Sequence, residues 1–493
     1  ARGWLWAVGL VCWLGSLLKL GYFAIYRQEM SQSVFFTLFE SNATESSEYL
    51  VNYAQWWMLP ALLLYSLAAI VLARAVRPFS LARKWRVILT AIVALSFFEP
   101  VLTNWKGFNM ATVEAAARRI ATRHNGIEPW QTVISYYRYR NEVAQMQRLL
   151  QAMQQASQQP LAQRDAHAQQ TFVLVIGEST NRQRMSLYGY QRQTTPQLDA
   201  LRSQLAVFDD VIAARPYTIE SLRQAFSLAD SERPELEFSK PNVISLMRRA
   251  GFKTFWITNQ QTISDRNTLL TAYSQLAAER TYLNNNRVQS SSQYDEVVLA
   301  PYARALADPA SKKFIVVHLL GTHIGYHHRF PSEFARFTDK RADSVLDESE
   351  QQMFNDYDNA VLYNDAIVAQ LIAIYRRHTP YGALVYLSDH GEEVFDFRRF
   401  QGRDEANPSP PMYTIPFLVL PSESWLDENR QRAEQMRAVV HRPFSLANFA
   451  HGWCDLVTID SPDCIPERSV FSARFVATPR LVGDPARPST LRD

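Results

Sequence analysis

The hydrophobic positions of this 493-residue chain follow two different patterns. The first hundred residues contain three apolar segments, at 4–26, 57–72 and 87–102, with Trp or Tyr at their margins. Each approaches the roughly 20 residues that an α-helix needs to cross a bilayer. From about residue 171, short runs of β-forming residues alternate instead with amphipathic stretches. The pattern therefore predicts N-terminal transmembrane α-helices at 1–104 and a separate soluble domain at 171–493.

The charges between the apolar segments predict how they are oriented. The second connection is basic and the first is acidic, with Arg74, Arg77, Arg83, Lys84 and Arg86 against Glu29, Glu40, Glu45 and Glu48. Basic connections stay in the cytoplasm, so everything after residue 102 is expected outside it. A cleaved signal peptide is the alternative for the first segment, but two more spans follow and no small-residue cleavage pattern is visible.

The chain begins at Ala1, directly before a span and without an initiator Met. We expect any preceding part of the protein to contain an even number of spans, because only an even number preserves this orientation. Residues 105–170 are rich in Arg and Gln and amphipathic, which predicts juxtamembrane helices lying on membrane lipids. A solvated linker helix is the alternative. The Gln- and Ala-rich stretch 151–170 is interpreted as a hinge.

The soluble domain has the rhythm of an α/β protein with a mainly parallel sheet. The predicted strands are 171–176, 207–212, 254–258, 313–319, 383–387 and 414–420. The predicted helices between them include 242–250, 293–306 and 354–377.

Acidic and imidazole side chains follow two of these strands. Glu178 comes after the strand 171–176, and Asp389 and His390 come directly after 383–387. Ligand sites in open α/β sheets lie at such strand ends. Carboxylate oxygens with one imidazole suit zinc or manganese. The alternative is an ordinary strand-to-loop turn with solvated side chains.

Thr218 is the candidate nucleophile. It follows a turn and precedes an amphipathic run, which places it at a helix N-terminus. The free amides and the helix dipole there favour an alkoxide and a phosphate group. The alternative is that Thr218 only caps the helix.

Three further polar residues at strand ends are candidate substrate contacts: His323, His318 and Asn259. His323 closes the segment Gly-Thr-His after the strand 313–319, an exposed position suited to a phosphate oxygen or a second metal. His318 lies along that strand, where a histidine is more often a core residue. Asn259 directly follows the strand 254–258.

Charge and cysteine content limit the remaining possibilities. The net charge of +3 argues against a nucleic-acid partner. Of three cysteines, Cys12 lies in a span, whereas Cys454 and Cys464 lie ten residues apart in the exported part. We predict a disulfide between these two. Two reduced, buried thiols are the alternative.

Several motifs in order resemble the phosphoethanolamine transferases of Gram-negative bacteria, a branch of the alkaline phosphatase and sulfatase superfamily. They are Gly-Glu-Ser-Thr at 177–180, Arg-Met-Ser-Leu-Tyr-Gly-Tyr at 184–190, Thr-Thr-Pro at 194–196, Arg-Pro-Tyr-Thr at 215–218, His-Leu-Leu-Gly-Thr-His at 318–323 and Ser-Asp-His-Gly-Glu at 388–392. The resemblance covers nearly the whole chain. The segments 253–261 and 357–360 look most like the subgroup that modifies the lipopolysaccharide core.

The resemblance implies an alkaline phosphatase-like fold and a set of site residues. Glu178, Thr218, Asp389 and His390 would bind zinc, with Thr218 also the nucleophile. His323 and His318 would contact the phosphoethanolamine group. Family members often have another histidine about ten residues after the Asp-His pair, and the segment 396–403 has none. This leaves one zinc ion expected and a second in doubt.

The resemblance also implies a reaction and a location. Thr218 would take phosphoethanolamine from phosphatidylethanolamine, and a core heptose or a lipid A phosphate of lipopolysaccharide would then receive it. The protein would be a multi-pass inner-membrane enzyme with a periplasmic catalytic domain. Two more spans would precede residue 1.

Three other functions are weighed against this one. A sulfatase needs Cys or Ser at the nucleophile position, within a Cys/Ser-x-Pro-x-Arg motif. This chain has Thr218 at that position and no such motif around it. A glycerol-phosphate transferase or phosphodiesterase of the same superfamily stays open until the donor is tested. A non-catalytic membrane receptor with this fold would be expected to lose some of the four site residues, and all four are present.

Overall fold

The computed structural model describes residues 2–26, 56–75, 82–102 and 160–491, the last range with short gaps of which 262–272 and 285–292 are the longest. Isolated residues at 38 and between 135 and 144 are also described. The chain forms two compact units, residues 1–41 with 49–142, and residues 143–493 with 42–48. Most of the predicted linker at 105–170, and the acidic residues after the first span, lie outside the described residues.

The first unit contains a helix at each predicted span: Arg2–Tyr26, Met58–Ala75 and Arg83–Leu102. Among the described residues, Met58–Ala75 is the one helix that is both long enough and apolar enough to cross a membrane. None of its residues is buried in the structure, as expected of a surface that contacts lipid. The three helices are confirmed, and the crossing of the membrane by all three stays a prediction.

The second unit is built on a seven-stranded sheet. We number its strands along the chain as β1 (Gln170–Gly177), β2 (Ala206–Phe208), β3 (Lys253–Gln261), β4 (Glu279–Asn284), β5 (Lys312–His318), β6 (Gly382–Ser388) and β7 (Phe417–Pro421). Their order across the sheet is β2-β7-β6-β1-β5-β3-β4. Only β7 runs against its neighbours, so the sheet is mixed and mainly parallel.

Both faces of the sheet are covered, which explains why its strands are nearly continuous apolar runs. In β1, Phe172, Leu174 and Ile176 belong to one buried cluster, and the alternate positions Val173 and Val175 belong to the other. The helices Thr218–Phe226, Val243–Arg249 and Phe449–Leu456 pack on the first face, and Leu299–Leu306 and Glu348–His378 on the second.

Shorter elements connect this framework. Further α-helices in the described part of this unit include Pro196–Leu201, Pro410–Tyr413, Glu423–Glu428 and Arg430–Ala438. Two-residue strands form four small pairs, Ala162–Gln163 with Ile459–Asp460, Val211–Ile212 with Phe444–Ser445, Glu393–Val394 with Gln401–Gly402, and Leu481–Val482 with Ser489–Thr490.

The predicted strand 207–212 is wrong as a single element. Its first half is β2, whereas Val211–Ile212 pairs with Phe444–Ser445 outside the sheet. The chain leaves the main sheet between these two halves, at Asp209 and Asp210. Asp209 contacts His441 and Asp210 pairs with Arg480, so neither carboxylate enters the apolar interior. Charges of this kind are too costly to bury unpaired in a strand.

Two other boundaries differ from the prediction. Strand β7 begins at Phe417 and not at 414, because Pro416 has no N–H for the ladder. The predicted helix 293–306 is a 3₁₀ turn at Asp295–Val298 followed by the helix Leu299–Leu306, which has Pro301 in its first turn. The edge strand β4 was not predicted, because its sequence is polar and half exposed.

The predicted disulfide between Cys454 and Cys464 is confirmed. It joins the buried helix Phe449–Leu456 to the segment that follows it. The bond suits an exported domain, since thiols stay reduced in the cytosol. Cys12, in the helix Arg2–Tyr26, is an exposed free thiol.

Candidate active site

The candidate site residues converge because three of the strands that carry them are neighbours. Strand β1 lies between β6 and β5, and both pairings are parallel. Gly177 is opposite Ser388, and Ile176 is opposite His318, so all three strands end at the same edge of the sheet, the one formed by their carboxyl ends. Glu178 follows β1, the pair Asp389 and His390 follows β6, and the loop with His323 follows β5.

Glu178, Asp389 and His390 form a buried cluster at this edge. One ligand atom from each lies within 4.8 Å of the others, the one such group of three found among the described residues. His390 Nε2 is 3.2 Å from Glu178 Oε1 and 3.3 Å from Asp389 Oδ2. All three side chains are fully buried. Two buried carboxylates within 4.8 Å of each other repel unless a cation lies between them or one of them is protonated.

Thr218 is the first residue of the helix Thr218–Phe226 and points its hydroxyl into this cluster. Its Oγ1 is 3.2 Å and 3.1 Å from the two oxygens of Glu178, and 3.2 Å from His390 Nε2. The residue at the capping position is Tyr217, and no side chain caps the helix. The capping explanation of Thr218 therefore finds no support in the geometry.

The cluster fits a metal ion by two further observations. Asp389 Oδ1 accepts the amides of Ser179 and His390, whereas the buried Asp389 Oδ2 has no hydrogen-bond partner among the described residues. His390 Nδ1 lies 2.8 Å from the Gly391 carbonyl, so the proton sits on Nδ1 and the Nε2 lone pair faces the carboxylates. Oxygen and imidazole donors aimed at one point suit zinc.

Burial sets the protonation of these groups. Burial, with the Arg403 charge, lowers the pKa of His390 and keeps its imidazole neutral, the form that binds a metal. Burial and the neighbouring Glu178 charge raise the pKa of Asp389 well above its usual range. Burial also opposes ionisation of Glu178, but contact with His390 outweighs it and holds the pKa of Glu178 well below its usual range.

The loop after β5 is held tightly against Glu178. Thr322 donates its amide and its hydroxyl to the Glu178 carbonyl, at 3.0 Å and 2.9 Å. Gly321 has a φ of +54°, and a Cβ there would lie 2.8 Å from the Glu178 amide nitrogen. Only glycine permits this approach. Ser179 has the same left-handed backbone, with φ 58°, immediately after Glu178.

The two candidate histidines differ in access. His323 is partly exposed in this loop, and burial lowers its pKa to about 3 despite the Glu178 charge nearby. His318, the last residue of β5, is fully buried and packs edge-on against Trp256. Neither of its ring nitrogens has a hydrogen-bond partner among the described residues. The structure thus brings His323 to the site edge, whereas His318 has no exposed surface.

Asn259 lies behind the site. Its amide donates to Asp295 Oδ1 at 2.9 Å, and the two oxygens of Asp295 accept the amides of Leu320 and Gly321. Asn259 therefore supports the loop of His323 and does not contact the cluster directly. The next residue does: Gln260 Nε2 is 3.2 Å from Glu178 Oε2. Successive strand side chains point to opposite faces, so the choice between Asn259 and Gln260 depends on the exact register.

Sequence reasoning missed Arg403, which reaches the centre of the cluster. Its Nη1 is 2.7 Å from His390 Nε2 and 3.9 Å from Glu178 Oε1. The small hairpin of Glu393–Val394 with Gln401–Gly402 turns the chain back and returns Arg403 to the Asp-His pair. Glu392 is fully buried beside it, and burial raises the pKa of Glu392 to about 7 against the Arg403 charge.

Comparison with known proteins identifies the family of this chain. A family model described as Sulfatase matches residues 170–459. The fold and the carboxylate, histidine and threonine cluster thus define a protein of the sulfatase class. Phosphoethanolamine transferase EptC of Escherichia coli strain K12 is 42% identical over 99% of this chain and 85% of its own length. Phosphoethanolamine transferase CptA of Salmonella typhimurium is 43% identical over the same shares. The chain belongs to the phosphoethanolamine transferase family, which confirms the resemblance.

Two solved structures extend the comparison. The periplasmic domain of Escherichia coli EptC in complex with zinc matches with a TM-score of 0.64 and 46% identity, covering 68% of this chain and 96% of that one. The integral membrane protein EptA of Neisseria meningitidis matches with a TM-score of 0.66, covering 94% of this chain and 86% of that one. At 17% identity the likeness to EptA concerns the fold alone. Because it covers 94% of this chain, it extends beyond the second unit.

Proposed function

We propose that this protein transfers phosphoethanolamine from phosphatidylethanolamine to the lipopolysaccharide core, with Thr218 as the nucleophile. The observation that carries the proposal is the Thr218 hydroxyl within 3.2 Å of both Glu178 and His390, at the start of a helix. A hydroxyl so placed is activated for attack, since a neighbouring base and the helix dipole both favour its alkoxide. The family comparisons support phosphoethanolamine as the group transferred.

The reaction proceeds in two displacements at phosphorus. The Thr218 hydroxyl gives its proton to the carboxylate it contacts and forms a bond to phosphorus, while the bond from phosphorus to diacylglycerol breaks and diacylglycerol takes up a proton. A core heptose hydroxyl or phosphate oxygen then attacks the phosphorus and loses its proton, and the Thr218 oxygen leaves and is protonated again. No water is consumed, which distinguishes a transferase from a hydrolase.

Zinc fits this site through Glu178, Asp389, His390 and the Thr218 oxygen. An ion held by these residues would stabilise negative charge on the Thr218 oxygen and polarise the phosphodiester. We propose one ion, on the single group of three metal-ligating side chains found among the described residues. His323 remains the proposed contact of the phosphoethanolamine group, and Asn259 supports its loop. His318 was expected to contact the group as well, but it has no exposed surface.

A transfer assay with a labelled lipid donor identifies the donor and the acceptor. Full-length protein is incubated with phosphatidylethanolamine labelled in the ethanolamine group and with lipopolysaccharide, and the products are analysed by mass spectrometry. We expect one labelled phosphoethanolamine on the core and one diacylglycerol for each transfer. Thr218→Ala protein serves as the matched control.

The same experiment separates the rival functions. A phosphodiesterase would release free phosphoethanolamine without acceptor, and a glycerol-phosphate transferase would use labelled phosphatidylglycerol instead. A receptor would leave both lipids unchanged. Any of these results would contradict the proposal.

We also propose that the chain is a multi-pass inner-membrane protein with its second unit in the periplasm. The basic residues Arg74, Arg83, Lys84 and Arg86 lie between the helices Met58–Ala75 and Arg83–Leu102 or at their ends, which favours a cytoplasmic position for this connection. A reporter active only in the periplasm, fused after Asp493, is therefore expected to be active. A reporter active only in the cytoplasm, fused at the same position, is the control, and activity of that fusion would overturn the topology.

A further inference from the structure

Among the residues that the structure describes, Arg403 is the one cationic side chain in contact with the cluster that does not directly follow a strand of the main sheet. The hairpin after β6 carries it back to His390, and its guanidinium faces the carboxylates of Glu392, Glu178 and Asp389. Its side chain keeps 17% of its surface exposed. A charge placed between a buried cluster and solvent lies where a ligand would enter.

Most of the hydrogen-bonding capacity of Arg403 is unused. Nη1 bonds His390 Nε2, and the guanidinium lies 5.8 Å from the centre of the Tyr217 ring. Its Nε and Nη2 make no hydrogen bond with any residue that the structure describes. A planar guanidinium with free N–H groups matches two oxygens of one phosphoryl group.

The bond from Arg403 to His390 can form only while no metal ion occupies His390 Nε2. His390 Nε2 has a single lone pair, so a metal ion at this atom and the Arg403 N–H group exclude each other. Metal binding at His390 therefore frees the Arg403 donors for an incoming anion. Tyr217, beside Arg403, directly precedes Thr218, so the freed donors are close to the nucleophile.

The negative charges around the site also favour a role for Arg403 in binding phosphate. If Glu178, Asp389 and Glu392 are all ionised around a bound divalent ion, their charge exceeds that of the ion and would repel an anionic phosphodiester. The guanidinium neutralises this excess without another metal. A cation held in place before the substrate arrives is also well suited to the charge that develops on the phosphoryl oxygens during transfer.

Resting on the proposed function, we propose that Arg403 is a catalytic residue that binds the non-bridging oxygens of the transferred phosphoryl group. The bonds formed and broken at phosphorus are those of the two displacements at Thr218, and Arg403 neither gives nor takes a proton. The alternative is a structural role, in which Arg403 only holds the carboxylates of Glu178 and Glu392 together.

Phosphate affinity separates the two roles. Full-length wild-type protein, Arg403→Met and Arg399→Met are loaded with zinc, and binding of inorganic phosphate is measured by calorimetry together with zinc content. Arg399 is the matched control, because it lies in the same hairpin but pairs with Glu350 and Asp347 at the surface. We expect Arg403→Met to retain zinc and to bind phosphate about tenfold more weakly or worse, since a charged hydrogen-bond pair is lost. We expect its kcat/KM for phosphatidylethanolamine to fall by on the order of 10³-fold.

A folded, zinc-loaded Arg403→Met protein that binds phosphate as tightly as wild type overturns the proposal. If Arg403→Met does not fold or does not hold zinc, Arg403→Lys decides, because it keeps the charge among the carboxylates but loses the two-pronged geometry. Weaker phosphate binding by Arg403→Lys then supports the proposal, and binding equal to wild type overturns it. Because inorganic phosphate is the probe, the two proposals can fail separately. A wild-type protein that binds phosphate but does not transfer phosphoethanolamine refutes the proposed function. Phosphate binding by the Arg403 variants then still tests the role of Arg403.

Discussion

Replacing Thr218 by alanine is expected to abolish transfer while the protein still folds. The hydroxyl contacts Glu178 and His390 and not the amides of its own helix, so its loss removes the nucleophile without removing a cap. We expect the transfer rate to fall by on the order of 10⁴-fold or more, as for other covalent nucleophiles. The free energy of unfolding should change by no more than about 1 kcal/mol. Zinc affinity should weaken, since one oxygen ligand is lost.

Thr218→Ser and Ser227→Ala are the matched variants for this test. The first keeps a hydroxyl at the same position and should retain part of the activity. The second removes a hydroxyl at the other end of the same helix, where the side chain has no contact with the cluster, and should behave as wild type. In wild-type protein stopped during turnover, mass spectrometry should find phosphoethanolamine on the peptide that contains Thr218. An adduct on Ser179, Thr180 or Ser388, or near-normal transfer by Thr218→Ala, would show that the nucleophile lies elsewhere.

The strand ends could be predicted from the sequence because burial on both faces leaves a clear signal. In β1 and β6 an uninterrupted apolar run stops at Glu178 and at Asp389, and a parallel sheet brings such ends to one edge. Thr218 was predicted from a turn followed by an amphipathic helix. These signals are local, and each depends on one element at a time.

Arg403 could not be predicted in this way, because no strand or helix points it toward the site. It lies 13 residues after His390 along the chain, in a polar segment whose pairing, Glu393 opposite Gly402, is only two residues long. The contact of Gln260 with Glu178 could not be predicted either. Strand β3 has a register shift after Thr258, so the alternation that should place Asn259 or Gln260 toward Glu178 is not readable from sequence.

Replacing Asp389 by asparagine is expected to separate metal binding from folding. Asp389 Oδ1 accepts two backbone amides, and asparagine keeps that oxygen. Its Oδ2 has no hydrogen-bond partner among the described residues and faces His390 Nε2 at 3.3 Å. Asparagine places an NH₂ group there, which cannot bind a cation. We expect zinc affinity to fall by more than the roughly 10- to 100-fold typical of losing an outer-shell partner, and transfer to fall with it.

Thermal unfolding with and without zinc provides the measurement, together with elemental analysis. In wild-type protein, zinc binds only the folded state and should raise the melting temperature. In Asp389→Asn this increase should disappear, whereas the zinc-free variant should be at least as stable as zinc-free wild type, because burial and the Glu178 charge already raise the pKa of Asp389 and disfavour its ionised form. Asp365→Asn is the matched control: Asp365 is also buried and also accepts two backbone amides, from Gln197 and Leu198, but lies in the helix Glu348–His378. The Asp365→Asn protein should lose about 1–3 kcal/mol of folding free energy and keep its zinc. An equal zinc-dependent rise in melting temperature for Asp389→Asn and wild type would remove Asp389 from the metal site.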